Sequence, residues 1–180
     1  MSYNTRGQDL TFVNNSVEEG ENRESFLLDH LESKNIKLIK KSTFKHYDFD
    51  VNKNIKIELK TSNFRTDRYY NVFIGLDKIC YYAYRKTKNK NIIFILIYGF
   101  YDVSTENDKT NVHIKYLFDI IDIDKYLYDY GRYVHYNKKH IKIPVNTLKP
   151  LKYLTKALQS KYESNNDFLE NLKDIINHHQ

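Results

Sequence analysis

Lys45-His46-Tyr47-Asp48-Phe49-Asp50-Val51-Asn52-Lys53-Asn54-Ile55-Lys56-Ile57-Glu58-Leu59-Lys60-Thr61 reads as a β-hairpin with two unlike faces, and the rest of the chain is best understood outward from it. Two alternating runs flank Asn52-Lys53-Asn54, a polar cluster with the turn residue Asn on either side of a lysine. With those three residues as the loop, Val51 faces Ile55, Phe49 faces Ile57, and Asp48 lands opposite Glu58. The period of two then places Phe49, Val51, Ile55, Ile57 and Leu59 on one face and His46, Asp48, Asp50, Lys56, Glu58 and Lys60 on the other. The first face wants a core. The second gathers carboxylates and lysines.

Carboxylates directly opposite one another in a hairpin have Cβ atoms about 5 Å apart and repel. A bound cation reverses the sign of that interaction. Mg²⁺ suits such a pair, because it is hard, takes oxygen ligands and keeps several waters. Lys60 lies two residues beyond Glu58, so it projects from the same face about 7 Å along the strand. From there an ammonium group can orient an attacking water and meet the charge of a phosphorane-like transition state.

The sequence Tyr47-Asp48-Phe49-Asp50-Val51, then Ile57-Glu58-Leu59-Lys60-Thr61-Ser62, resembles the PD-(D/E)XK superfamily of restriction-endonuclease-like nucleases. It follows that family's order of acid, hydrophobic strand, Glu-hydrophobic-Lys and small hydroxyl residue. Tyr47 departs from the family pattern by standing in the proline position. Asp48 and Asp50 share a face, so either can be the family's first acid. Asp48 is favoured because Phe49 and Val51 follow it as the apolar strand positions do, whereas a loop one residue further on sets Asp50 opposite Glu58. Glu-X-Lys by itself is a weak pattern, and Glu32-Ser33-Lys34 repeats it on a segment that reads as helix. The hairpin match differs in having strand, turn, strand and hydroxyl tail all in agreement.

The chain has 180 residues, 41% of them hydrophobic, which is enough for one domain with a core and too few for two comfortable ones. A net charge of +6 and a pI near 9.1 suit a polyanionic partner. The single cysteine, Cys80, excludes an internal disulfide and a cysteine-rich zinc site and points to a reducing, cytoplasmic setting. The apolar run Ile92 to Tyr101 is about half the length needed to span a bilayer, and the amino terminus lacks a signal-peptide core. Five glycines and no phosphate-cradling glycine loop argue against nucleotide-binding folds of the Gly-rich kind.

Residues 1–18 read as a loose arm. A helix is expected over Glu21 to Ser33, with Phe26, Leu27, Leu28 and Leu31 as its apolar stripe. The resemblance implies that a glutamate of this helix joins the site: Glu24, or Glu21 in its place. Ile36 to Ser42 reads as a strand before the hairpin, and Tyr69 to Ile74 as one after it. Leu76 to Thr87 reads as an amphipathic helix with Leu76, Ile79, Cys80 and Ala83 inward and Lys78, Tyr81, Tyr82, Arg85 and Lys86 outward. Ile92 to Tyr98 suits a central strand buried on both faces. Beyond the polar loop Ser104 to Thr110, a strand is expected over Val112 to Ile121, a short helix over Asp122 to Tyr130, and a strand pair around Asn137-Lys138-Lys139. A helix marked by Leu148, Leu151, Leu154 and Leu158 should follow, then a last one carrying Phe168 to Ile176. His135 and His140 have no third ligand at convincing spacing, and His178 and His179 sit at the chain end.

With the strand over Tyr69 to Ile74 set aside, helix, three strands, helix and strand is the αβββαβ order of the restriction-endonuclease-like core. The expectation is therefore a single α/β domain with a central mixed sheet: an arm over 1–18, a nuclease core over 19–103, and an extension over 104–180 packed on it. The resemblance implies a Mg²⁺-dependent DNA endonuclease, with Mn²⁺ able to substitute, of restriction type or alternatively of junction-resolving, viral or mobile-element type. Asp48, Glu58, Glu24 and the backbone carbonyl of Leu59 would hold metal, and Lys60 would position water. Arg65, Arg68, Lys78, Arg85, Lys86, Lys88 and Lys90 are candidates for the DNA backbone. Cutting both strands needs two sites, which a homodimer supplies. A non-catalytic nucleic-acid-binding module of the same fold is the rival, and the intact set Asp48, Glu58 and Lys60 argues against it.

Overall fold

The hairpin forms in the expected register. The computed structural model describes residues 24–29, 31–32, 38–41, 46–62, 70–102, 113–135, 137–154 and 156–158. The proposed arm, Glu21, Arg65, Arg68, the Ser104 to Thr110 loop, the last helix, and His178 and His179 lie outside the described residues. β2 (Phe49–Asp50) and β3 (Ile55–Ser62) run antiparallel, with Phe49 opposite Ile57 and Asp50 opposite Lys56. The turn is held by Asn52, whose Oδ1 accepts 2.8 Å hydrogen bonds from the N–H groups of both Asn54 and Ile55. That is the local side-chain chemistry that makes Asn a turn residue. β1 (Ile39–Lys40) pairs with the outer edge of β2.

The fold is mixed α/β. A six-stranded sheet has the order β1-β2-β3-β5-β6-β9, where β5 is Ile93–Asp102, β6 is His113–Ile120 and β9 is Lys149–Pro150. β3 and β5 are parallel along their whole contact, from Ile55 opposite Ile93 to Ser62 opposite Phe100, and every other neighbouring pair is antiparallel. Parallel neighbours need a crossover. Here it carries β4 (Asn71–Gly75) and helix α2 (Leu76–Lys88) across one face of the sheet. β4 joins a second, three-stranded antiparallel sheet of order β4-β8-β7, with β7 at Arg132–His135 and β8 at Lys138–Pro144.

The two central strands, β5 and β6, contribute to two cores by alternation. Ile93, Ile95 and Ile97 of β5 join Phe49, Ile55, Ile57 and Leu59 on one face, where Leu27 and Leu31 of the helical segment over 24–29 and 31–32 (α1) cover them. Phe94, Leu96 and Phe100 turn to the other face and meet Ile79 and Tyr82 of α2 and Ile74, Ile141 and Ile143 of the second sheet. The central strand is buried on both sides, as its unbroken apolar run implies. Phe49 is fully buried where the hairpin meets β5 and α1. Phe49→Ala is expected to cost about 3–5 kcal/mol, read as a lowered urea midpoint with an unchanged slope.

Three expectations are corrected. Cys80 is exposed and Tyr82 is buried, so α2 is rotated relative to the reading that turned Cys80 inward and Tyr82 outward. The sheet beneath presents Glu58, and the helix turns its hydrogen-bonding side chains toward it. The β7–β8 turn falls one residue earlier than Asn137-Lys138-Lys139. Asn137 takes a left-handed φ of 61°, which Asn tolerates, and Lys138 and Lys139 enter the ladder opposite His135 and Val134. The short helix expected after β6 forms over residues 123–129, with a π turn at Lys125–Asp129. The continuous helix through Leu148 and Leu158 is replaced by a 3₁₀ turn (Val145–Thr147), β9, and a second 3₁₀ turn (Leu151–Tyr153) leading into helical residues. Pro150 has no N–H to donate and disfavours helix before it. Leu148 accordingly lies in one core cluster and Leu151 and Leu154 in the other.

The strands between residues 113 and 150 do not form a separate layer. β6 and β9 complete the main sheet, and β7 and β8 pair with β4. Among the described residues no helix is long and apolar enough to cross a membrane.

Candidate active site

The polar face of the hairpin is not a solvated surface. Glu58 sits in the middle of β3 with 1% of its surface exposed, and Lys56 on the same face is also buried. Burying charge in a central strand is costly unless the charges are paired. Two separate ion clusters meet that need.

The first lies toward the turn. Asp50 Oδ2 is 2.5 Å from Lys41 Nζ and Oδ1 is 2.6 Å from Lys56 Nζ. Burial favours the neutral acid, but the two lysines outweigh it and hold the Asp50 carboxyl below its ordinary range. Asp50 is thereby committed to a structural triad, and its partner across the ladder is Lys56.

The second cluster contains Asp48 and Glu58. The Asp48 N–H donates to the Ile57 carbonyl at 2.9 Å, while Phe49 is the ladder partner of the same Ile57. Two residues answering to one is a β-bulge, a device that re-aims a side chain and ends regular pairing. Asp48 is thus displaced from the simple position opposite Glu58. Its Oδ2 instead accepts the N–H of Leu59 at 2.7 Å. In extended backbone a residue's N–H and C=O point to the same side, so the Leu59 carbonyl faces the same edge of β3. Burial, and then the nearby charge of Glu58, push the Asp48 carboxyl up to about 6, against the pull of the Leu59 N–H, Lys60 and Lys78.

Glu58 is the centre of a charged knot. Its Oε1 lies 2.7 Å from Lys60 Nζ and also bonds the ammonium of Lys78. Its Oε2 is 3.4 Å from the hydroxyl of Tyr82, which donates at 2.9 Å to the backbone carbonyl of His46. Lys78 and Tyr82 are four residues apart on α2 and so share a helix face. Burial and the charges of Glu58 and Asp48 raise the Tyr82 phenol far above its ordinary range, which keeps it a hydrogen-bond donor. For Lys60, burial works against the charged form, but Glu58 and Asp48 outweigh it and the ammonium is stabilised. Tyr82 is fixed from behind by a stack on Phe94, ring centroids 4.0 Å apart. His46, on the way into the bulge, stacks on Tyr81 at 4.1 Å.

The knot forms part of the wall of a cleft of about 760 Å³. Lys60 and Lys78 line it from the main sheet and α2, and Phe73, Lys138, Lys139 and His140 line it from the second sheet. Asp77 is the acidic residue among the lining groups, so the cleft is basic in balance. Lys138, Lys139 and His140 had no functional weight in the sequence. Their hairpin is distant in the chain, and the pairing of β4 with β8 that delivers it here follows no local pattern.

The structure brings together Asp48, Glu58, Lys60 and Lys78. Glu24 is placed elsewhere, 2.7 Å from Lys40 on the edge strand β1. Leu27 and Leu31 of its helix pack on the sheet face opposite to Glu58. Among the described residues no three His, Cys, Asp or Glu side chains form a group able to hold a metal ion. Arg85, Lys86 and Lys88 are exposed at the far end of α2, about 10–15 Å along the axis from Lys78, and Lys90 is exposed in the turn beyond. No family model, curated protein or solved structure matches the chain.

Proposed function

We propose that this chain is a Mg²⁺-dependent endonuclease with a restriction-endonuclease-like core that hydrolyses DNA phosphodiester bonds. The observation that carries the reading is the meeting of Asp48, Glu58 and Lys60, from one bulged hairpin, with Lys60 reaching the wall of an open basic cleft. The sheet supports it: an α-β-β-β order enters the sheet, and the strand bearing Glu58 lies parallel to the next one after a crossover helix.

The donor set fits a hard cation, since Asp48, Glu58 and the Leu59 carbonyl offer only oxygen, and a cation would relieve an Asp48 carboxyl held high by burial and then by the charge of Glu58. When bound there, a divalent ion would supply Lewis acidity to the phosphate and acidify a water. The chain's own residues do the rest. The cleft walls place the phosphate against Lys60, whose side chain is about one-third exposed. Lys60 orients the attacking water and meets the negative charge that develops on the phosphoryl oxygens. Lys78 adds a second positive group from α2, and Tyr82 restrains Glu58 from below. Two such sites are required to sever a duplex, which a homodimer would provide.

The test is incubation of supercoiled plasmid and of a branched DNA with Mg²⁺, with Ca²⁺ and with chelator. Nicking or linearisation that requires Mg²⁺ is expected. Salt-sensitive binding with no cleavage, even with Mn²⁺, would instead assign the same cleft to a non-catalytic binding module in which Lys60 and Lys78 simply neutralise Glu58.

A further inference from the structure

The sheet β4-β8-β7 has one buried face and one open face. Val72, Ile74, Ile141 and Ile143 point inward and are at most 2% exposed. By the period of two, Phe73, Tyr133, His135, Lys138, His140 and Lys142 share the opposite face. The register sets Phe73 beside Lys142, Tyr133 beside His140, and His135 beside Lys138. Three rings form a row on this face. Phe73 and Tyr133 have centroids 5.2 Å apart, and Tyr133 and His135 lie 5.9 Å apart with planes inclined by 19°. Tyr133 is 39% exposed, and the Lys142 ammonium lies 5.2 Å over its ring on a flexible stem. None of the three strands contains an acidic residue. Phe73, Lys138 and His140 also line the cleft, so the row of rings leads directly to Lys60 and Lys78.

A basic face with aromatic rings in line is complementary to a nucleic-acid strand whose bases are free to stack. Bases inside a duplex are stacked on each other and do not offer their faces. We infer that the open face of this sheet binds an unpaired DNA strand, with bases on Phe73, Tyr133 and His135 and phosphates on Lys138, His140 and Lys142, and guides it into the cleft. A base settling on Tyr133 displaces the Lys142 ammonium, which is then free to meet a phosphate. In naming the substrate form this rests on the nuclease reading, and it selects DNA with a flap, branch or single-stranded stretch over a continuous duplex.

Fluorescence anisotropy of the full chain in chelator, where nothing is cut, tests the binding step. A labelled oligothymidine of about 16 nucleotides is compared with a blunt duplex of equal length and with an RNA of the same sequence. The single DNA strand is expected to bind about tenfold more tightly than the duplex. Tyr133→Ala with His135→Ala should weaken single-strand binding by about tenfold or more and leave duplex binding unchanged, while Tyr133→Phe retains it. An unchanged thermal midpoint shows that the double variant is folded. Equal affinity for strand and duplex, an unaffected double variant, or tighter binding of RNA would overturn the inference. The two proposals fail differently. Loss of single-strand binding in the variant, in a protein that cuts no DNA, leaves the platform standing and removes the nuclease. A variant that cuts flapped DNA as the parent does leaves the nuclease and removes the platform.

Discussion

Lys60→Ala is expected to slow Mg²⁺-dependent DNA cleavage by about 10²–10⁴-fold while leaving the protein folded. Lys60 faces the cleft and shares Glu58 Oε1 with Lys78, so its loss removes the group nearest the phosphate without orphaning the buried acid. Lys78 and the Tyr82 hydroxyl stay with Glu58. The stability cost should therefore be on the order of 1 kcal/mol, as for a partly exposed ion pair. Glu58→Ala is a poorer test. It would leave two ammonium groups in a largely buried site and cost about 3–5 kcal/mol, so lost activity could not be separated from lost structure. Single-turnover cleavage and thermal melting of the Lys60 variant settle the matter together. A folded variant that cuts within about threefold of the parent would remove Lys60 from the chemistry.

The hairpin and its two faces were legible because every signal there is local. Alternation fixes the faces, and Asn52 writes the turn, so Phe49 opposite Ile57 follows from counting. Counting also left Asp48 and Asp50 as rivals. Their environments separate them: Asp50 is closed between Lys41 and Lys56, and Asp48 turns toward Leu59 and Glu58. The bulge that turns Asp48 leaves no mark in the sequence, since it changes one residue's pairing and nothing in composition. The rotation of α2 was hidden for a related reason. Helical periodicity assumes an apolar floor, but the floor here contains Glu58, and Lys78 and Tyr82 face it where hydrophobicity alone chose Cys80. The remaining misses are long-range. Nothing near Lys138 shows that β8 will pair with β4 and set a basic wall opposite Lys78. Glu24 has the right helix for a site acid, yet it meets Lys40 before it can reach the hairpin's other face.

Asp48→Asn should abolish cleavage and at the same time make the protein more stable at neutral pH. The folded protein holds the Asp48 carboxyl near 6, mainly through burial and then through Glu58, against an ordinary value of 3.8. A group whose folded value is raised favours folding when protonated, and that advantage is fully present below the unfolded value and lost as pH rises through the folded one. Between about pH 4 and pH 6 the parent should lose on the order of 2 kcal/mol through this residue, after allowing for its partial exposure. Asparagine never ionises, and its Oδ1 can still accept the Leu59 N–H. In chelator at pH 8 the variant is thus expected to melt a few degrees higher than the parent, and near pH 4 the two should coincide. Excess Mg²⁺ should close the gap at pH 8 from the other side, because an ion that binds the folded acid pair stabilises the parent and has no anionic Asp48 to bind in the variant. A variant less stable than the parent at pH 8 without metal would mean that Asp48 is a structural anchor for Leu59 rather than an acid kept at a cost. A gap that Mg²⁺ leaves untouched would mean that the pair does not bind the ion. The combination of gained stability and lost cleavage is what distinguishes a residue retained for chemistry from one retained for the fold.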